Sequence, residues 1–356
     1  MDAGQGYILP GLIDIHTHGG AGSDFMDATY EDTVRIARFQ ASHGVTGVVA
    51  TTLTAPLPEI TGCLEVLRRI VGRHTGGAQI LGVHLEGPFL APGNKGAHLA
   101  EFLLHPEPRH YEPLLQYRDI IKTVTVAPEL PGAPEFIAAL VRHQIVVSGG
   151  HDTATDQEIL VAIEQGMTHT THAFCVMSSL QRKNGRKHLG LCEMMLLDER
   201  LTTEIIADNK HTPPLLAALI LKCKGPGKTC IVSDCLRAAG MPKDDTLYPI
   251  GPRNAPKAQV VVVDDGVAML PDRSLNAGSI TTLDSMIKNL INSCGGSLVE
   301  AVRMASLTPA EIIRIDQWKG SIAAGKDADI CIADRDLTVQ RTLVGGDEVY
   351  RRPGMA

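Results

Sequence analysis

The stretch PGLIDIHTHGG, Pro10 to Gly20, closes an apolar run with two histidines one residue apart, His16 and His18. In an extended strand alternate side chains share a face, so the pair offers two imidazoles in a chelating arrangement. The chain holds 14 histidines in 356 residues, and a His-x-His pair taken alone reads more readily as an ordinary strand end than as a metal site. The pattern recurs, however. Further apolar runs are followed by Glu86, by His151, by His172, by Asp208 with His211, and by Asp234; Glu129 follows another, and the sequence leaves its aim open. Any one of these fits a helix cap or a solvated loop residue. Together they are better accounted for by a metal centre.

Four imidazoles (His16, His18, His151, His172) and two carboxylates (Glu86, Asp234) make a donor set for one or two divalent ions. Nitrogen donors favour zinc, iron or manganese over magnesium, with zinc or iron first. A carboxylate has two oxygens and can bridge two ions, and Glu86 lies centrally among these runs. A divalent ion lowers the pKa of a water it holds to about 7. Asp234 then has the chemistry to take a proton and pass it on.

These residues need a scaffold that brings run ends together. Eight β-rich runs are legible: Leu12 to His16, Val45 to Thr51, Ile80 to Leu85, Ile121 to Ala127, Ile145 to Ser148, Met167 to His172, Thr203 to Ala207 and Thr229 to Ser233. Segments of helical periodicity separate most of them: Tyr30 to Ser42, Pro58 to Arg73, Pro134 to His143, Asp156 to Gln165 and Pro213 to Lys222. Continuous apolar strands joined by helices predict a parallel sheet in the α/β class, and eight such units predict a (β/α)8 TIM-type barrel, with an open doubly wound sheet as the alternative. In a barrel the site lies at the carboxyl ends of the strands. Ala258 to Asn276 reads as a hairpin turning at Asp265-Gly266 and leading into NAGS (Asn276 to Ser279), a loop placed to close over the mouth. The segments Thr281 to Asn292 and Val299 to Ser306 read as amphipathic cover without chemistry.

Composition excludes several classes. With 33 basic against 40 acidic residues, net charge −7 and 44% apolar residues, the chain supports a full core and disfavours a nucleic-acid partner. No apolar run reaches the length of a membrane span, and MDAGQGYILP lacks the regions of a signal peptide, so the expectation is a cytoplasmic protein. The eight cysteines show no CxxC pair and are expected to stay reduced.

In order, PGLIDIHTHGG, GVHLEGPFLAPGNKGAH, VAPE, GGHDTAT, THAFCVM, ADNKH, VSDC and NAGS resemble the motifs of the amidohydrolase superfamily. HLEGPFL followed by KGAH is most similar to its deacetylases of N-acetylglucosamine 6-phosphate. The resemblance runs from about Pro10 to Val349 and implies hydrolysis of a linear amide, with a small amino-sugar phosphate as substrate. It implies that Glu86, His151 and His172 are the principal metal ligands and that His16 and His18 hold a second ion in binuclear members. By the same resemblance Asp234 is the catalytic carboxylate and His98 orients the substrate and stabilises the oxyanion. Ala97, in the loop with Lys95 and Gly96, and the turn at Cys175 and Val176 contact the sugar, and His211 contacts the phosphate, often across a dimer interface. A homodimer or higher homo-oligomer is therefore expected.

The departures bear on the substrate. Cys175 stands where the family usually has Asn, and Cys235 follows the catalytic Asp where a small residue is usual. The phosphate-binding arginine normally lies in an HREPG-like loop; here the stretch is QRKNGRKH, so Arg182 and Arg186 are both candidates and a solvated basic loop is the alternative. Deacetylation of N-acetylgalactosamine 6-phosphate, hydrolysis of a cyclic amide or N-acyl amino acid, and a non-catalytic assembly subunit are the other readings; an intact donor set weighs against the last. Only Met1 to Leu9 precede the first barrel strand, where the family has a set of strands that joins the carboxyl-terminal segment in a β-sandwich. The expected organisation is thus a barrel over 10–325 and a small, incomplete β domain from 1–9 and 326–356, whose strands at Ala328 to Ala333 and Val339 to Val349 would leave edges open to another chain.

Overall fold

The eight apolar runs form eight parallel strands: β1 (Leu12–Thr17), β2 (Val45–Thr52), β3 (Gln79–Glu86), β4 (Ile121–Val126), β5 (Val146–Gly149), β6 (His169–Thr170), β7 (Thr202–Ile205) and β8 (Thr229–Ile231). Each pairs with the next in chain order, so the sheet runs from β1 to β8 without a crossover. Every residue of β1 and β2 is buried, as a sheet covered on both faces requires. The sheet curls back on itself. The Asp234 N–H donates to the His16 carbonyl at 2.9 Å, and the Asp14 carboxylate takes the Ser233 N–H at 3.2 Å. Backbone and side-chain bonds thus join the segment after β8 to β1 where no ladder does among the described residues.

The computed structural model describes residues 4–242, 246–255 and 258–354. Residues 1–3 and 355–356 of the expected terminal domain, and 243–245 and 256–257 of the expected barrel, lie outside the described residues.

A helix follows each strand: α1 (Tyr30–Ser42), α2 (Leu57–Arg68), α3 (Pro108–Leu115), α4 (Ala133–Arg142), α5 (Asp156–Glu164), α6 (Leu191–Leu197), α7 (Pro214–Lys224) and α8 (Leu283–Cys294), the last continued by two short helices, α9 (Leu298–Met304) and α10 (Leu307–Ile312). Their starts are chemically marked. Thr29 accepts from the Asp32 N–H ahead of α1, and Thr155 with Glu158 forms a reciprocal cap ahead of α5. Helices α3 and α6 are absent from the periodicity reading: α3 carries Pro113 inside it, and α6 has only 7 residues. The inner faces of the helices close on the barrel through Ile36, Ile60 and Phe136, which are at most 1% exposed. Fully burying such a side chain contributes roughly 1.5–3 kcal/mol.

A four-stranded antiparallel sheet joins the two ends of the chain, in the order Tyr7–Pro10, Ile330–Ala333, Val339–Val344, Asp347–Arg351. The single strand read at 339–349 is two strands turning at Gly345 and Gly346, both at positive φ. This sheet packs on α1, where Thr342 Oγ1 donates to the Ala41 carbonyl at 2.7 Å. At Gly44, φ 81°, an added Cβ would lie 2.7 Å from Cys331 Sγ, so glycine is what permits that approach. A three-stranded flap, Tyr248–Pro249, Val260–Asp264 and Val267–Met269, stands between β8 and α8. Its hairpin turns at Asp265 and Gly266, both left-handed, the geometry that suits a two-residue loop.

Candidate metal centre

The carboxyl ends of the strands deliver the predicted donors to one point. His16 lies within β1 and His18 just past it, Glu86 ends β3, and His151, His172 and Asp234 stand two or three residues beyond β5, β6 and β8. All six are buried. His151, His172 and Asp234 have φ of 50°, 29° and 45°. Backbone held in this region costs of order 1–3 kcal/mol per residue and persists where the surroundings enforce it. The strain coincides with the turns that swing these side chains back over the barrel mouth.

Glu86 is the centre of the cluster. Its Oε1 lies 2.9 Å from His172 Nε2, 3.2 Å from His151 Nε2 and 3.5 Å from His16 Nε2. Its Oε2 lies 3.1 Å from His18 Nε2, which is also 3.2 Å from Asp234 Oδ1. Burial would raise the Glu86 carboxyl, but the imidazoles of His16, His151 and His172 around it hold it well below the usual range. A buried anion therefore faces four ring nitrogens.

Tautomers decide what those nitrogens are. The Nδ1 of His151 meets the Asn94 carbonyl at 3.0 Å, so that nitrogen carries the hydrogen and Nε2 presents a lone pair. Burial pushes this ring down to about 4, which keeps it neutral. Its Nε2 nonetheless lies 3.1 Å from His172 Nε2 as well as beside Glu86. Lone pairs converging on a carboxylate call for a cation between them. His16 makes the same demand: its Nδ1 is engaged by Glu204 Oε2 at 2.9 Å, and its Nε2 is buried with no hydrogen-bond partner among the described residues. The donor set, oxygen and imidazole nitrogen without a thiolate, fits divalent transition ions. Donor atoms of His16, His18 and Glu86, and again of Glu86, His98 and His151, lie within 4.8 Å of one another.

His98 is the exception in that second group. The Thr54 N–H, which can only donate, points at His98 Nδ1 from 3.3 Å, with Thr54 Oγ1 at 2.9 Å. Nδ1 is thus an acceptor and Nε2 carries the hydrogen, 3.6 Å from Glu86 Oε2. His98 offers the cavity a donor, whereas His172, with Nε2 2.9 Å from Glu86 Oε1, has an Nδ1 that is buried and unpartnered among the described residues.

The cluster, apart from His16 beneath it, forms the floor of a cavity of about 430 Å³, whose walls include Ala97, Cys175, Val176, Lys210, His211, Ile250 and the loop Ser274 to Gly278. Ala97, Cys175, Val176 and His211 are therefore brought to the site as expected. Gly96 lies 3.3 Å from His151 Cε1, measured from an added Cβ, at φ 57°, which leaves no room there for a side chain. His211 Nδ1 sits 2.6 Å from Asp208 Oδ2, and its Nε2 is buried and unpartnered among the described residues. Burial lowers this imidazole, and the Asp208 carboxylate overcomes that and raises it.

Arg182 and Arg186 are not brought there. They lie on an exposed antiparallel hairpin, Gln181–Lys183 with Arg186–His188, and neither lines the cavity; Lys210, whose Nζ pairs with Asp265, and His211 do. The hairpin pairs with itself and projects outward, which loop composition does not reveal. Glu129 is also elsewhere, accepting from the Thr153 N–H at 2.6 Å. Asp152 and Glu204 are among the buried carboxylates that the sequence does not single out. Asp152 accepts from Ser178 N and Oγ and from the Ala154 N–H, which shapes the turn carrying Cys175 and Val176. Glu204 lies inside β7 and grips His16. A charge within the apolar run TTEII was the available signal.

Comparison with known proteins returns the amidohydrolase family model, matched over residues 7–349. The N-acetylglucosamine-6-phosphate deacetylase of Vibrio furnissii is 34% identical over 96% of this chain and 83% of its own length. The N-acetylgalactosamine-6-phosphate deacetylase of Escherichia coli O157:H7 is 33% identical over 95% of this chain and 86% of its own. Among solved structures, a mutant N-acetyl-D-glucosamine-6-phosphate deacetylase from Mycobacterium smegmatis in complex with N-acetyl-D-glucosamine-6-phosphate superimposes with a TM-score of 0.88 at 31% identity, covering 96% of this chain and 86% of that one. No helix among the described residues is long and apolar enough to cross a membrane.

Proposed function

The chain belongs to the amidohydrolase family, and from that premise we propose that its cavity deacetylates N-acetylglucosamine 6-phosphate, giving glucosamine 6-phosphate and acetate. The observation that carries the reading is the buried Glu86 carboxylate ringed by His16, His18, His151 and His172 at the mouth of the barrel, with Asp234 beside it.

His16, His18 and Glu86 would hold one ion, and Glu86, His151 and His172 a second, with zinc or iron the best match to these donors. A bound ion supplies an activated water at neutral pH and polarises the carbonyl. The chain's own groups do the rest. The Nε2–H of His98 donates to the amide oxygen as charge develops on it, a contribution worth several kcal/mol when the donor is preorganised. Asp234 takes the proton of the attacking water and delivers it to the sugar nitrogen, so the C–N bond breaks to a neutral amine. His18 Nε2 and Asp234 Oδ1 lie 3.2 Å apart, which places that carboxylate beside the donor set. His211 and Lys210 face the phosphate, and the Cys175 and Val176 turn bounds the sugar.

N-acetylgalactosamine 6-phosphate is a second reading, favoured by two observations: the two relatives above match almost equally well, and Cys175 replaces an amide side chain able both to donate and to accept. Neither Arg182 nor Arg186 reaches its own cavity, so their part in phosphate binding, and with it the homodimer, requires a second protomer. The test is a deacetylation assay of the metal-replete protein on both 6-phosphates and both free N-acetyl sugars, with metal analysis. The larger kcat/KM identifies the epimer. Equal rates on free and phosphorylated sugar would remove the phosphate from the reading, and absence of activity on all four would overturn it.

A further inference from the structure

Glu204 is buried inside β7, which the apolar pattern of a parallel strand does not call for. A carboxylate there needs partners, and it has three. Oε2 lies 2.9 Å from His16 Nδ1 and accepts the His172 backbone N–H at 3.1 Å, while Oε1 lies 3.2 Å from His169 Nε2. His169 is anchored in turn by Thr202, whose Oγ1 lies 2.7 Å from its Nδ1. Oε2 therefore grips the ring of one candidate metal ligand and the backbone of another, on β1 and past β6, from the strand that neighbours β6.

We propose that Glu204 is a positioning residue for the metal centre: it holds His16 in the Nδ1–H tautomer, aims its Nε2 at the ion shared with His18 and Glu86, and ties that orientation to the turn carrying His172. The inference rests on reading the cavity as metal-dependent, and adds which residue outside the donor set governs the His16 and His18 position. A carboxylate behind an imidazole fixes the ring's orientation and raises its basicity toward a metal, and such partners typically account for 10–100-fold in metal affinity.

The experiment is a chelator competition on the full-length protein, with Co²⁺ as probe so that its visible absorption reports the coordination. Glu204→Gln is nearly isosteric and keeps an acceptor for His16 while removing the charge. It is expected to lose 10–100-fold in affinity for the ion that His16→Ala also loses, to change that ion's spectrum, and to keep the other. The melting temperature of the metal-free proteins separates this from a merely structural role, which would lower it and leave affinity and spectrum unchanged. Should Glu204→Gln not fold, Glu204→Asp, whose shorter arm withdraws the carboxylate from His16, is expected to show the same selective loss. Wild-type affinity and spectrum in whichever variant folds would overturn the proposal alone. A wild-type protein whose metal content is indifferent to His16→Ala would overturn it too, and one that binds no ion and deacetylates nothing would overturn the functional reading with it.

Discussion

The backbone N–H of Thr54 points at Nδ1 of His98 from 3.3 Å, and this contact separates His98 from the histidines around it. A ring that accepts on Nδ1 must carry its hydrogen on Nε2. Donor and ligand roles therefore sit side by side among chemically identical side chains, sorted by what lies behind each ring.

It follows that His98→Ala should cut turnover by about 10²- to 10³-fold while leaving the metal content of the purified protein unchanged. Elemental analysis beside steady-state kinetics checks this. Loss of an ion along with activity would reassign His98 as a ligand.

Asp234 is buried, which would raise its carboxyl, but the neighbouring His18 and His16 hold it below the usual range. It is thus a base in the resting protein. Asp234→Asn should keep the fold and most bound metal and lose about 10²- to 10⁴-fold in turnover. Near-normal turnover would move the proton to another group, and Asp208 would be the first to test.

The phosphate contact should depend on pH through His211. Asp208 raises this imidazole above its ordinary 6.5, so the ring is cationic below its raised pKa and neutral above it. Above the second pKa of the phosphate itself, about 6, affinity for the 6-phosphate should fall as pH rises through the pKa of the ring. Asp208→Asn removes the carboxylate, lowers the pKa, and should move the rise in KM to lower pH. A KM profile identical in wild type and variant would show that His211 does not carry the phosphate.

Arg237, three residues after Asp234, is buried with every guanidinium hydrogen engaged. It binds Asp27 at 3.0 and 2.9 Å and the carbonyls of Pro249, Gly22 and Gly251 at 2.7, 3.2 and 2.6 Å. It thereby ties the loop after β1 to the flap whose Ile250 walls the cavity. Arg237→Met leaves those acceptors buried without it, and removing one partner of a buried pair typically costs about 3–5 kcal/mol. Denaturant unfolding should show a loss of that size, with a raised KM. A change within about 0.5 kcal/mol, the range of a neutral surface substitution, would contradict it.

What the sequence determined by itself is the part written in local pattern. Most strands come from apolar runs buried on both faces, and at five of them the chemistry stands at or just past the run's end, so His16, His18, Glu86, His151, His172 and Asp234 could be picked out, and the barrel with them, from residues within a few positions of one another. The tertiary structure decided the rest, because hydrogen-bond partners in a barrel come from neighbouring strands far apart in the chain. Glu204 means little in TTEII until β7 brings it to a histidine 188 residues away. The ligand state of His151 is set by the Asn94 carbonyl and the donor state of His98 by Thr54, contacts made across loops. Arg182 and Arg186 belong with this second group. Their charge was visible and their reach was not, since self-pairing of the 181–188 hairpin turns them to solvent and leaves Lys210 and His211 facing the cavity.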